Sequence, residues 1–303
     1  MAHPQIAAFA RLANGNAQTV RRIEGQTTLL ARTMHAISYD AVHDEIVVPN
    51  SMSHSILTFR GDADGEAPPV RVIQGSRTGL VNPDQMDVDP IHNEIFVPFT
   101  AKEGASIYVF DRAATGNVAP IRKLGGPDTG LGPFGTIGGA LTVTVDPVHD
   151  LLLVTGINGG PSGLLIFNRT ASGNTKPLRI ITGGPKSGNS ELGRPQVVPG
   201  TTLFVANSRF GAPARDATGR ARVRGNEGAE DASESRSFIG AWSIYDSGDA
   251  PPRWAIAHEG GGNLAVDAKN KTVIVASRTA IMTYSFPEIF DASSAPGSPG
   301  STR

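Results

Sequence analysis

The chain has no cysteine among its 303 residues. Disulfides, thiolate metal sites and cysteine nucleophiles are therefore excluded together, and either redox compartment remains open. Charge of one sign is missing too: 27 basic against 28 acidic residues leave a formal net charge of -1. That balance builds no global field to gather nucleic acid or an anionic membrane. No stretch approaches the roughly 20 apolar residues needed to span a bilayer. The opening MAHPQIAAFARLANGN lacks a basic region followed by an apolar one, so the expectation is a soluble chain, cytoplasmic or exported with its signal removed. Several catalytic signatures are also lacking. GPFGTIGGA at 132–140 is glycine-rich but holds no GxxxxGK[ST] and opens no helix, and neither a GxSxG elbow nor an HExxH pair occurs.

What is present is turns and short strands. Gly at 36 and Pro at 22 are high for a helical chain. The stretch from Met86 to Gly126 divides into four strands, here a (MDVDP), b (EIFVPF), c (SIYVFDR) and d (PIRKLGG). Each is rich in Val, Ile, Phe and Tyr, as strands are. Strand a recurs as AISYD (36–40), TVTVDP (142–147), QVVPG (196–200) and NLAVD (263–267). Strand b recurs as EIVVPN, LLLVTG, LFVANS and VIVAS, and strand c as SILTFR, LLIFNR, GAWSIYD and AIMTYSF. The turn from c to d carries Gly15, Gly65, Gly116, Gly173 and Gly248, each followed by Asn, Glu or Asp. Glycine there supplies the positive φ of a tight turn.

Four-stranded antiparallel units repeated every 50–65 residues or so define an all-β fold, a single β-propeller. Five blades are favoured, with six as the alternative. The chain begins with a c–d pair and ends after a, b and c, so the N- and C-terminal strands are expected to close the ring and remove open sheet edges. The propeller covers residues 1–290, with a polar loop insertion at 209–237 and a flexible Ser/Pro/Gly-rich tail at 291–303.

The residues VDPIHNEIFVP…SIYVFDRAATGNVAPIR resemble NHL-type and gluconolactonase-like (SMP-30-like) propeller repeats. They look more closely like the VDPVHNEIFV…VFDR.A.GN..P.R.I.G units of bacterial propeller proteins of unassigned function. The resemblance runs from about residue 5 to 290 and is architectural, so it implies a fold and not an activity. NHL propellers are commonly six-bladed, and gluconolactonase-like enzymes hold a divalent metal near the channel.

Sites in such a fold lie where the copies differ, on the loops leading into strand a and from b to c. Those loops carry His35, Asn50, His54, Asp84, Gln85, Asn158, Gln196, Asn207, Arg209, His258, Glu259, Asn263 and Arg278, a mixed polar set suited to a ligand. His35, His54 and Asp84 form the candidate catalytic and metal group, able to hold a divalent ion such as calcium or zinc or to act as an acid–base pair. No motif requires a cofactor. His43, His92 and His149 recur at one turn of successive copies and read as structure, as do Asp40, Asp89, Asp146 and Asp267, which suit Asx turns. The strand-d arginines Arg21, Arg71, Arg122, Arg179 and Arg253 read as a solvated or salt-bridged rim, in which they could pair with a strand-c Asp or Asn of the same blade, for example Asp111.

Two function classes follow. One is a non-catalytic scaffold binding a protein, glycan or small molecule at the channel mouth. The other is a metal-dependent lactone hydrolase or lyase at the same face.

Overall fold

A computed structural model describes residues 4–32, 34–101, 104–132, 140–157, 163–184, 186–187, 189–210, 237–258, 262–277 and 280–291. Most of the 209–237 insertion and the tail beyond 291 lie outside these. Two compact units divide the chain, Met1–Phe99 with Ser106–Lys123, and Thr100–Ala105 with Leu124–Arg303.

The chain opens with a hairpin, β1 (Gln5–Ala8) against β2 (Arg21–Glu24). The first blade is β3 (Ser38–Asp40), β4 (Glu45–Asn50), β5 (Ser55–Arg60) and β6 (Arg71–Gln74), hydrogen-bonded in that order. The second is β7 (Asp87–Asp89), β8 (Glu94–Ala101), β9 (Gly104–Asp111) and β10 (Arg122–Gly125). The third is β11 (Ala140–Asp146), β12 (Leu151–Ile157), β13 (Gly163–Asn168) and β14 (Arg179–Thr182).

In the fourth blade the inner strand comes in two pieces, β15 (Asn189–Leu192) and β16 (Gln196–Val197). Both pair with β17 (Leu203–Phe210), which is followed by β18 (Ser237–Ser243) and β19 (Trp254–Ala257). Sequence reading found only the second piece. Pro195 has no N–H to give a ladder, and the strand breaks around it. The fifth blade is β20 (Asn263–Asp267), β21 (Thr272–Ala276) and β22 (Ile281–Ser285), followed by the short helix α1 (Pro287–Asp291). The fold is an all-β, five-bladed propeller of antiparallel sheets. The two terminal segments occupy separate sheets: β1 pairs with β2, in the register a c–d pair takes, and β22 pairs with β21.

Middle strands read as unbroken apolar runs because both of their faces are covered. In β4, Ile46 and Val48 pack with Ile23 of the opening hairpin, while Val47 packs with Met86, Val88 and Ile95 of the second blade. In β17, Phe204 and Ala206 meet Leu153 and Ile166 of the third blade, and Val205 meets Val273 and Val275 of the fifth. The two-residue period of the strand thus splits its side chains between two neighbours. Burying each such Val, Leu, Ile or Phe contributes about 1.5–3 kcal/mol.

The a–b turns are built by Asp and His together. Oδ1 of Asp40, Asp89 and Asp146 accepts the N–H groups two and three residues on, at 2.9–3.1 Å. Oδ2 of the same carboxylates meets Nδ1 of His43, His92 and His149 at 2.7, 2.8 and 2.8 Å. In the fifth blade Asn270 replaces the histidine and gives Nδ2–H to Asp267 at 2.7 Å. These residues are turn builders, as expected.

Three of the strand-d arginines are salt-bridged, but none of these pairs is with Asp111. Arg71 pairs with Glu45 and Arg122 with Glu94, at the head of strand b, because the long side chain reaches past strand c. Asp111 instead accepts the Ala113 N–H at 2.7 Å. Arg253 does pair with an acid just beyond strand c, Asp246, at 2.8 Å. Glu45 also receives Arg112 of the second blade at 2.6 Å, so one carboxylate links two blades.

A second link repeats between blades. Ile23, Ile73, Leu124 and Ile181, one per outer strand, form parallel bridges with Gly65, Gly116, Gly173 and Gly248 in the c–d turn of the next blade. For Gly116 the bonds are its N–H to Val72 O at 2.6 Å and the Gln74 N–H to its own O at 3.1 Å. The residue after the glycine completes the lock: Oδ1 of Asn117 and Asn174 accepts the N–H of Arg77 and Asp128, both at 2.7 Å.

Candidate functional site

In the first unit the loop leading into β7 is fastened from the b–c corner of the first blade. Ser51 Oγ donates to Pro83 O, and His54, at φ 52, accepts the Asn82 N–H on Nδ1 at 3.0 Å. Acceptance on Nδ1 places the proton of a neutral His54 on Nε2. Asn50, 1% exposed, accepts the Ala31 N–H on Oδ1 at 2.8 Å and donates Nδ2–H to Leu29 O at 2.9 Å. That bond pair holds the loop leading into β3.

Between these two fastened loops, His35 Nδ1 meets Asp84 Oδ1. The pair faces solvent, with side-chain exposures of 56% and 36%. Gln85 beside it is buried, its Nε2 3.5 Å from His35 O. Ser38 Oγ donates to Asp87 at 3.0 Å and ties the inner strands of the two blades together. His35, His54, Asp84 and Gln85 therefore do gather around one loop, but in unequal roles. His54 is spent on backbone, and only His35 and Asp84 touch as side chains. Among the described residues no group of three or more His, Cys, Asp or Glu side chains is placed to hold a metal ion. Of the candidate donor set, His54 is turned to the Asn82 N–H and His35 to Asp84, so the three side chains do not gather around one point.

In the second unit His258 Nε2 donates to Asn207 Oδ1 at 2.8 Å, while Asn207 Nδ2 donates to Gly262 O. Both residues are 8% exposed, and Tyr284 stands edge-on to the His258 ring at 6.1 Å. The amide orientation makes Oδ1 the acceptor, so the imidazole carries its proton on Nε2. This is a clamp holding the ends of β19 and β20 against β17. Gln196 lies half-buried in β16 opposite Val205, and Asn263 opens β20 opposite Ala276. Arg209 sits on β17 opposite Ser237; its side chain, like Asn158, Glu259 and Arg278, lies outside the described residues.

Sequence reading missed Asn82, whose N–H is the anchor and whose φ is 47. The Asn-Pro dipeptide at 82–83 was the available signal, since such pairs start turns.

Repeated antiparallel sheets, locked turn to outer strand, define the chain as a β-propeller. No protein-family model and no curated protein matches it. Among solved structures it is similar to the hydrazine synthase of Kuenenia stuttgartiensis, at 11% identity and a TM-score of 0.47, over 89% of this chain and 59% of that one. It is also similar to the β-propeller domain of Cps50 (Swd1) from Myceliophteria thermophila, at 9% identity and a TM-score of 0.49, over 88% and 73%. The chain thus spans less than two thirds of the hydrazine synthase chain. No helix among the described residues is long and apolar enough to cross a membrane.

Proposed function

We propose that the chain is a non-catalytic binding scaffold, recognising a protein, glycan or small-molecule ligand on the loops leading into strand a and from b to c. The observation that carries this reading is the use of Asn50, His54, Asn207 and His258 in bonds that fix loops. Rigid loops carrying a polar, solvent-facing pair suit recognition, because little ordering entropy is lost when a ligand docks. His35 and Asp84 are the residues a ligand would meet first. The test is a glycan array and a small-molecule thermal-shift panel on the wild-type chain, His35→Ala and Asp84→Asn. A ligand that binds wild type and is weakened in both variants, with their melting temperatures unchanged, supports the reading.

The second reading, a lactone hydrolase or lyase, rests on the His35–Asp84 contact alone. Nδ1–H directed at a carboxylate leaves the basic lone pair of a neutral imidazole on Nε2, the tautomer an acid–base group uses. Turnover of a lactone and ester panel, lost in His35→Ala and unaffected by chelator, would replace the scaffold reading with this one.

A further inference from the structure

The c–d turns of the repeats share their glycine and differ in the residue before it, which is Asn14, Asp64, Thr115, Ser172 and Ser247 in chain order. We propose that Asn14 is a site of spontaneous covalent modification. Its side-chain amide is lost through a cyclic imide formed with Gly15, and aspartate or isoaspartate is left in the turn of the opening hairpin.

The local geometry carries this inference. Gly15 donates its N–H to Asn14 Oδ1 at 2.8 Å, which sets the backbone nitrogen against the side-chain carbonyl it would attack. Only the amide oxygen can accept that bond, so the NH2 group points away as the leaving group. Among the described residues the Asn14 side chain makes no other hydrogen bond. Glycine brings no Cβ to crowd the attacking nitrogen. Other asparagines lack the combination. Asn82 is followed by Pro83, which has no N–H to lose. Asn93, Asn117 and Asn174 give Oδ1 to Arg112, Arg77 and Asp128, and each precedes a residue with a side chain. Asn50 and Asn207 are buried. A second Asn-Gly pair, 158–159, lies outside the described residues.

The chemistry needs only water. The Gly15 nitrogen gives its proton to solvent and bonds to Cγ of Asn14; the Cγ–Nδ2 bond breaks, and Nδ2 takes a proton and leaves as ammonia. Water then opens the imide at either carbonyl. Opening at Cγ frees a side-chain carboxylate and leaves aspartate. Opening at the main-chain carbonyl leaves the chain running through the former side chain, as isoaspartate. No electron is transferred, and either product adds one negative charge.

The two products should differ in effect. Aspartate is what the next copy carries at Asp64, so it suits the turn. Isoaspartate adds a backbone carbon between the bonds Ala13 N–H to Ala10 O and Val20 N–H to Ala8 O, both 2.8 Å. The register of β1 on β2, from Gln5 opposite Glu24 to Ala8 opposite Arg21, depends on that turn. Pairing in the hairpin should loosen.

The test is timed incubation of the full wild-type chain at neutral pH, followed by trypsin and mass spectrometry of LANGNAQTVR, residues 12–21. The same peptide free in solution is the reference, and fragmentation distinguishes isoaspartate from aspartate. Conversion at Asn14 is expected within about tenfold of the free peptide's rate, ahead of every other described asparagine and with both products present. Asn14→Gln, whose imide ring would be one carbon larger, should remove the signal and leave the melting temperature unchanged. Hydrogen exchange at residues 5–8 and 21–24 should be faster in the isoaspartate form, separated by ion exchange, than in fresh protein. A rate more than about tenfold below the free peptide's, faster change at another described asparagine, or aspartate without isoaspartate overturns the proposal. Equal exchange in the two forms overturns the loosening of the hairpin.

Discussion

Removing one carboxylate should unfasten a whole a–b turn. Asp146 is 1% exposed, and its two oxygens serve three donors: the N–H groups of Val148 and His149 at 3.1 Å and His149 Nδ1 at 2.8 Å. Hydrogen bonds to a buried charge are worth about 1.5–3 kcal/mol each, but Val148 is 73% exposed and its N–H can rehydrate in the variant. Counting about 1 kcal/mol for each backbone bond and a little under that for the partly exposed histidine, Asp146→Ala should cost about 2–4 kcal/mol. His149→Ala loses only the third bond and should cost about 0.5–1 kcal/mol. Urea unfolding followed by fluorescence, with the slope checked for constancy, gives both numbers. The same series at Asp40 should show a somewhat larger loss, since Arg112 also lies 3.7 Å from that carboxylate. If Asp146→Ala stays within about 0.5 kcal/mol of wild type, the range of an ordinary surface change, the turn is held by something else and the reasoning fails.

Other perturbations follow from the same contacts. Gly240→Ala puts a methyl against the Trp242 and Phe238 rings inside the fourth blade, and should cost about 1–3 kcal/mol by overpacking, with an altered near-ultraviolet Trp signal. Glu45→Gln weakens its pairs with Arg71 and Arg112 while leaving both cations mostly buried, and should cost about 2–4 kcal/mol in denaturant titrations. Hydrogen bonds from the Ser187 side chain and from the Lys186 and Ser187 N–H groups hold Asp249 below the usual carboxylate range. The lock it closes is therefore at full strength above that range and is lost as the pH falls through the lowered pKa. Asp249→Asn should remove this part of the acid sensitivity of melting, and an unchanged acid limb would argue against it.

The strands were legible in the sequence because their signal is local: β-branched runs such as EIVVPN and LLLV, closed by Asp-x-x-His turns and by glycine. What the sequence hid was contact between copies. The Asn that follows Gly116 reads as a turn residue, and nothing local says that it caps Arg77, 40 residues earlier. His54 and Asn50 stand at the b–c corner, but the groups they fasten across the loops, the Asn82 and Ala31 N–H and the Leu29 carbonyl, are backbone and carry no side-chain code. Two contacts join pairs of side chains that the sequence itself marked, His35 with Asp84 and His258 with Asn207. The break at Pro195 and the pairing of Arg71 with Glu45 depend on reach and register, which emerge once the sheet is formed.

The lock at each c–d turn also constrains how the repeats can change over generations. Its two halves, the outer strand with its following Gly-x-x-Thr and the turn that receives it, are written in different copies of the repeat. A duplicated copy is therefore never independent of its neighbour. A substitution at Asn117 is judged by the loop at Gly75 to Thr78, and one at Asn174 by the loop at Gly126 to Thr129. Drift should be fastest where a copy answers to itself alone, on the loops from b to c. It should be slowest, and paired between adjacent copies, along the seams.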